Sequence, residues 1–221
     1  MLDTASVWTR THANPNDIIS DRAYNAVIGG VLLWGFAMNW VTVQLISPAI
    51  FTVVPPLVFL IGYVVCTFAG IYTFQKSSNP LVSFLGYNLV VGPIGLLLVL
   101  ALAGVPALIV YRALIATAGV TGTMMMLGTL FPSFFLGLGR TLFIALTIGL
   151  LAQLGLMLFG MGVPTFFDGL FVLIFSGYIG YDWARANRLP KTLDNAIDSA
   201  AALYLDIINL FLRLLRMMRR R

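Results

Sequence analysis

Two carboxylates carry the chemistry this sequence offers. Asp182 and Asp206 stand in the C-terminal stretch YIGYDWARANRLPKTLDNAIDSAAALYLDIINLFLRLLRMMRRR, which runs from Tyr178 to Arg221, and each is set among apolar residues. An acid inside a lipid-soluble segment is costly and by default functional, because it can bond a neighbouring helix, hold a proton or attract a cation. The first helix of this stretch is predicted to stop near Leu189, since the residue before Pro190 is biased away from helical geometry. Asp194 or Asp198 is then placed to cap the next helix. Positions 182 and 206 flank residue 194 at equal distances. Counted from those predicted helix ends, each acid lies roughly 10–12 Å into its helix at 1.5 Å per residue. In an antiparallel hairpin that makes the two level.

Two level carboxyls in a poorly hydrated site share a proton more cheaply than both ionise, and the titration then belongs to the pair. The expected device is a pH sensor and gate. A shared proton closes it, and deprotonation opens it or attracts a cation, so Asp182 and Asp206 are also the expected calcium contacts. Helical phase supplies a supporting polar shell. Tyr178, Asp182 and Arg185 share one face of their helix, and Ser199, Ala202, Asp206, Asn209 and Arg213 share one face of the next. The competing structural reading makes each Asp an interhelical hydrogen-bonding or Arg-paired group that fixes the fold.

The elements that must position this pair are membrane helices. Hydrophobic residues make up 60% of the 221, charged residues 10%, and the mean hydropathy is +0.96, which excludes an ordinary soluble domain. No charge occurs between Arg22 and Lys76, Lys76 and Arg112, Arg112 and Arg140, or Arg140 and Asp168, and a spanning helix needs about 20 apolar residues. The ten-residue alternation of a membrane barrel is absent. Spans are predicted at about Ala23–Ile46, from Pro55-Pro56 to about Phe74, at Leu81–Gly104, Pro106–Leu130 and Phe135–Phe159, and from Pro164 past Asp182. Gly92-Pro93 should kink the third. The small residues between Ala116 and Thr123 mark the fourth as buried. Met124, Met125 and Met126 read as adaptable packing.

The seventh segment, about Asp198–Met217, is too short and too polar to face lipid. It should be wrapped by the others, as a central span or a re-entrant hairpin. The expected fold is therefore all-α and polytopic, with about seven transmembrane helices and the last one central. Residues 1–22 form a polar N-terminal segment, 23–217 a single seven-helix membrane domain, and 218–221 a basic tail. The opening segment lacks the apolar core of a cleavable signal peptide, so insertion is expected to fall to the first span.

Seven crossings place Arg10, Arg22, Lys76, Arg140, Arg185, Arg188 and Lys191 on one side, with Arg112 and the five tail arginines on the other. The positive-inside rule makes the first side cytoplasmic. The side of the tail stays open, because a re-entrant last segment would bring it back. The expected location is the cytoplasmic membrane. The net charge of +5 sits largely in the tail and points to topology and anionic lipid before nucleic acid. Cys66 is the sole cysteine, which excludes an intrachain disulfide and a cysteine metal cluster. His12, the sole histidine, lies outside the spans, which disfavours a serine or metalloprotease. No phosphate-binding glycine loop opens a helix, and no cofactor is expected.

Tyr181-Asp182, then Ala202-Leu203-Tyr204-Leu205-Asp206-Ile207-Ile208-Asn209-Leu210-Phe211 and Leu214-Leu215-Arg216, resembles the transmembrane Bax inhibitor motif family. Length, helix count and basic tail resemble a bacterial member. The resemblance implies a seven-helix fold with the last helix central, and a pH-sensitive calcium leak with Asp182 and Asp206 as sensor and gate. The second span departs from the bacterial pattern. It has neither the Glu nor the Arg found in or next to that helix, which argues against an acidic ion-entry site there and for weaker calcium selectivity.

Two rivals belong to other classes. An intramembrane aspartyl protease also pairs Tyr-Asp with a second Asp, one carboxyl neutral and one activating water. Its second motif is glycine-rich before the Asp, where this chain has Leu203-Tyr204-Leu205, and its Pro-Ala-Leu should follow that Asp, whereas Pro106-Ala107-Leu108 lies far upstream. The other rival is a non-enzymatic protein that modulates a membrane protease or a stress response through a membrane-protein partner.

Overall fold

The computed structural model describes residues 15–220, and almost all of them are helical. A 3-10 turn at Pro15–Asp17 leads to α1 (Asp21–Leu45), α2 (Ile50–Val53), α3 (Pro56–Lys76), α4 (Pro80–Leu102), α5 (Ala107–Leu130), α6 (Pro132–Gly137), α7 (Gly139–Leu158), α8 (Thr165–Ala186) and α9 (Leu193–Arg219). Most of the polar opening segment, His12 included, and Arg221 of the tail lie outside the described residues. The punctuation is local chemistry. The Ser20 hydroxyl accepts from the Ala23 N–H at 3.2 Å to cap α1, and the Asn79 side chain accepts from the Leu81 N–H at 2.9 Å to cap α4. Proline opens α3, α4 and α6, where its missing N–H costs nothing.

Five stretches are long and apolar enough to cross a membrane: Asp21–Leu45, Pro56–Lys76, Pro80–Leu102, Ala107–Leu130 and Pro132–Leu158. The last of these is α6 and α7 together. The other two long helices, α8 and α9, bear acids and arginines within their length and fall short of that apolarity. Outward faces fit a lipid surroundings. Leu57, Phe68, Leu108, Phe143, Leu151 and Leu158 are all exposed, and one buried polar group costs more in hydrocarbon than many exposed apolar ones.

The chain divides into two compact units, Met1–Gly104 with Leu189–Ala202, and Val105–Arg188 with Leu203–Arg221. In the first, α3 and α4 meet backbone to backbone: a Cβ on Gly70 would stand 2.5 Å from the Gly86 carbonyl oxygen. Tyr87, wholly buried, donates to the Val31 carbonyl at 3.0 Å and ties α4 to α1. In the second, α5 and α8 approach at Gly128, where a Cβ would stand 2.6 Å from the Gly180 carbonyl oxygen, and the ring of Phe135 covers Gly180.

One expectation changes here. The small-residue run of α5 is not the buried face: Gly119 and Gly122 have open space around their Cα atoms, and of residues 116–123 only Thr117 is buried. Helices that cross at an angle touch at one place, so one glycine, Gly128, makes the close approach. Pro93 lies inside α4, which is helical from Pro80 to Leu102.

Candidate functional site

The end of α8 and the start of α9 differ from the boundaries expected from the sequence. The α8 helix stops at Ala186, and the Asn187 N–H folds back onto the Trp183 carbonyl at 3.1 Å. The α9 helix begins at Leu193, because Thr192 caps it: its hydroxyl accepts from the Asn195 N–H at 3.1 Å. Neither Asp194 nor Asp198 is the cap. Asp194 instead accepts from the Ser83 hydroxyl at 2.7 Å, buried in the first unit. Asp182 is thus about one turn from the end of α8, and Asp206 is more than three turns into α9. The equal distances from the helix ends inferred from the sequence do not hold.

The two carboxyl groups nevertheless meet. Asp182 and Asp206 lie within side-chain hydrogen-bonding reach of each other. Their residues are only 7% and 8% exposed. Asp182 Oδ1 and Asp206 Oδ2 are buried and receive no hydrogen bond. The nearest compensating charge is Arg185 Nη1, 3.8 Å from Asp182 Oδ1 and one turn along the same helix. Tyr178 lies in the electrostatic field of both carboxyls. Two of the shell residues expected from helical phase, Tyr178 and Arg185, therefore stand beside the pair.

The other three are engaged elsewhere. The Ser199 hydroxyl lies 3.2 Å from the Tyr24 hydroxyl, in the first unit. The Asn209 amide donates to its own Leu205 carbonyl at 2.8 Å. Arg213 donates to Gln153 Oε1 at 3.0 Å and Asp168 Oδ1 at 3.3 Å, with its guanidinium 3.9 Å from the centre of the Phe171 ring. A shared stripe sets only the angle of a side chain about its helix; the facing element decides its partner.

Chemically, a hydrogen bond between two carboxyl groups needs one proton, since an ionised carboxylate only accepts. With that proton the pair bears a single negative charge beside Arg185. Without it, two negative charges face one guanidinium and favour a cation. Among the described residues no group of three or more His, Cys, Asp or Glu gathers, whereas calcium takes about six to eight oxygens.

A second charged cluster escaped the sequence reading. Asp168, in the first turn of α8, is wholly buried and faces three arginines: Arg213 and Arg216 at 3.3 Å and Arg220 at 3.6 Å. The signal was present, since 168 and 220 flank residue 194 as symmetrically as 182 and 206 do. In the first unit, Lys191 sits 4.5 Å over the Tyr24 ring. Burial lowers its ammonium from the usual lysine range, against an opposing pull from Asp21.

Comparison with known proteins agrees with the C-terminal motif. Residues 17–221 match the family described as inhibitor of apoptosis-promoting Bax1. A BI1-like protein of Arabidopsis thaliana is 39% identical over 122 residues, covering 50% of this chain and 45% of that protein. Protein LIFEGUARD 3 of the same plant is 46% identical over 85 residues, 37% of this chain and 34% of its own length. An uncharacterised protein of Helicobacter pylori is 35% identical over 122 residues, 54% of this chain and 50% of the relative. The matched stretch thus spans about half or less of each relative's length.

Proposed function

The chain belongs to the family of the inhibitor of apoptosis-promoting Bax1, and from that premise we propose that it is a pH-sensitive cation leak, conducting calcium, gated by Asp182 and Asp206. The observation that carries this reading is the pair itself: two buried carboxyls within hydrogen-bonding reach, each with an oxygen that nothing else satisfies. With one proton shared, the carboxyls hold α8 to α9. Without it, two like charges within hydrogen-bonding reach repel each other, which loosens the helix contact or draws in a cation. Arg185 offsets part of that repulsion and keeps the pair poised near the switch.

In this reading all seven long helices cross the cytoplasmic membrane, α8 and α9 included, with the N-terminal side cytoplasmic. Protein around α9 shields its acids, which fits the burial of Leu203, Tyr204 and Leu210 to 0% exposure. Calcium entry into dye-loaded proteoliposomes, followed across pH for the wild type and Asp206→Asn, is the test. Flux that rises with pH in the wild type and loses its pH dependence in the variant supports the gate. Equal flux and equal pH response in both defeats it. No flux from either points to the interaction protein instead.

A further inference from the structure

Asp168 and its arginines form a built cationic site that the carboxyl pair does not explain. Asp168 is one negative charge, and Arg213, Arg216 and Arg220 are three positive ones, so the cluster carries an excess of two positive charges. A cluster meant only to neutralise a buried acid needs one partner. The geometry of the surplus is informative. Arg216 reaches Asp168 through Nη1 alone. Arg220 uses the same atom for all its contacts, to Asp168, to the Thr165 hydroxyl at 3.1 Å and to the Val163 carbonyl at 3.5 Å. Their side chains are 43% and 40% exposed. Each guanidinium is therefore pinned at one nitrogen, while Nη2 and Nε make no hydrogen bond to the other described residues and form an outward fork.

A guanidinium fork with parallel N–H groups matches a phosphate oxygen pair, and pre-positioning removes the entropy of ordering two long side chains. The surroundings suit a membrane surface. Phe159 and Met161, on the connection that leads into α8, and Phe166 in its first turn are exposed apolar residues that flank in sequence the Val163 and Thr165 contacts of Arg220, the mixture expected where headgroups meet hydrocarbon. We infer that Arg216 and Arg220, held by Asp168, form a binding site for a phosphate-bearing anion at the entry to α8. The ligand is a phosphodiester of an anionic lipid headgroup or a free phosphate. The inference stands independently of the cation pathway.

The full-length protein in nanodiscs of equal phosphatidylglycerol and phosphatidylcholine distinguishes the two sources by native mass spectrometry of retained lipid. A parallel thermal-shift titration with inorganic phosphate in pure phosphatidylcholine discs supplies the second arm. Retention of phosphatidylglycerol that falls about tenfold in R216Q/R220Q supports the site with a lipid ligand. A phosphate-induced rise in melting temperature that disappears in the same variant supports it with a free one. The R216K/R220K variant keeps both charges and a partner for Asp168 but loses the forks, so binding should fall there as well, with the gel-filtration profile unchanged. Binding that is equal in the wild type and the Gln variant, absent from the wild type, or fully kept by the Lys variant overturns the proposal.

Discussion

The shared proton proposed for Asp182 and Asp206 has a consequence that single substitutions read out. Asparagine in place of Asp206 donates an amide N–H to the remaining carboxylate without needing a proton. Asp206→Asn should therefore hold α8 to α9 at every pH, with calcium flux low and varying within about twofold where the wild type responds steeply. A proteoliposome flux profile checks this. Ser199 offers the contrast. Its stripe on α9 put it with Asp206, but its hydroxyl meets Tyr24. Ser199→Ala should leave the pH profile unchanged and lower stability by about 1 kcal/mol, the usual net worth of one hydrogen bond. Thermal unfolding of the purified variant measures that loss. A changed pH midpoint in Ser199→Ala would return this residue to the gate. Identity and spacing along the chain made the two acids legible; the partners of Ser199 and Arg213 were not, because they lie on other helices.

Helix contacts are decided at single crossings. Gly128 packs its Cα against the Gly180 carbonyl, so Gly128→Ala must push α5 away from α8. Overpacking of this kind costs about 1–3 kcal/mol. The same substitution at Gly119, which has open space, should be neutral or stabilise by several tenths of a kcal/mol, because alanine is the better helix former. Melting temperatures in detergent should order as Gly119→Ala at or above wild type, then Gly128→Ala below it. The reverse order would mean that the small residues of 116–123 are the packed face after all. Helix starts were readable wherever a proline or a capping side chain marks them, as at Pro56, Pro80 and Asn79. The start of α9 differs from the expected one because Thr192, just before the expected caps Asp194 and Asp198, can also cap a helix. Only the hydrogen bond from the Asn195 N–H to Thr192 chooses between them.

At the scale of the whole molecule, the seven-crossing proposal divides the connections between two faces. Cysteines placed at Ser78 and Asn187 in a Cys66→Ser background should be labelled from the cytoplasmic side by an impermeant maleimide, and cysteines at Val105 and Gly162 from the other. Labelling of Asn187 and Gly162 from one face would show that α8 does not cross. The sequence by itself determined that the chain is a membrane protein of apolar helices, and it picked out Asp182 and Asp206. Both follow from one-dimensional facts, the length of uncharged runs and the solvation cost of an acid within them. Only the tertiary structure decided what each polar group touches. The carboxyls meet although they stand at unequal distances from the ends of their helices, and Asp168 collects three arginines from more than forty residues away. Reach across a helix pair depends on crossing angle and side-chain length, and neither quantity is written in spacing along the chain.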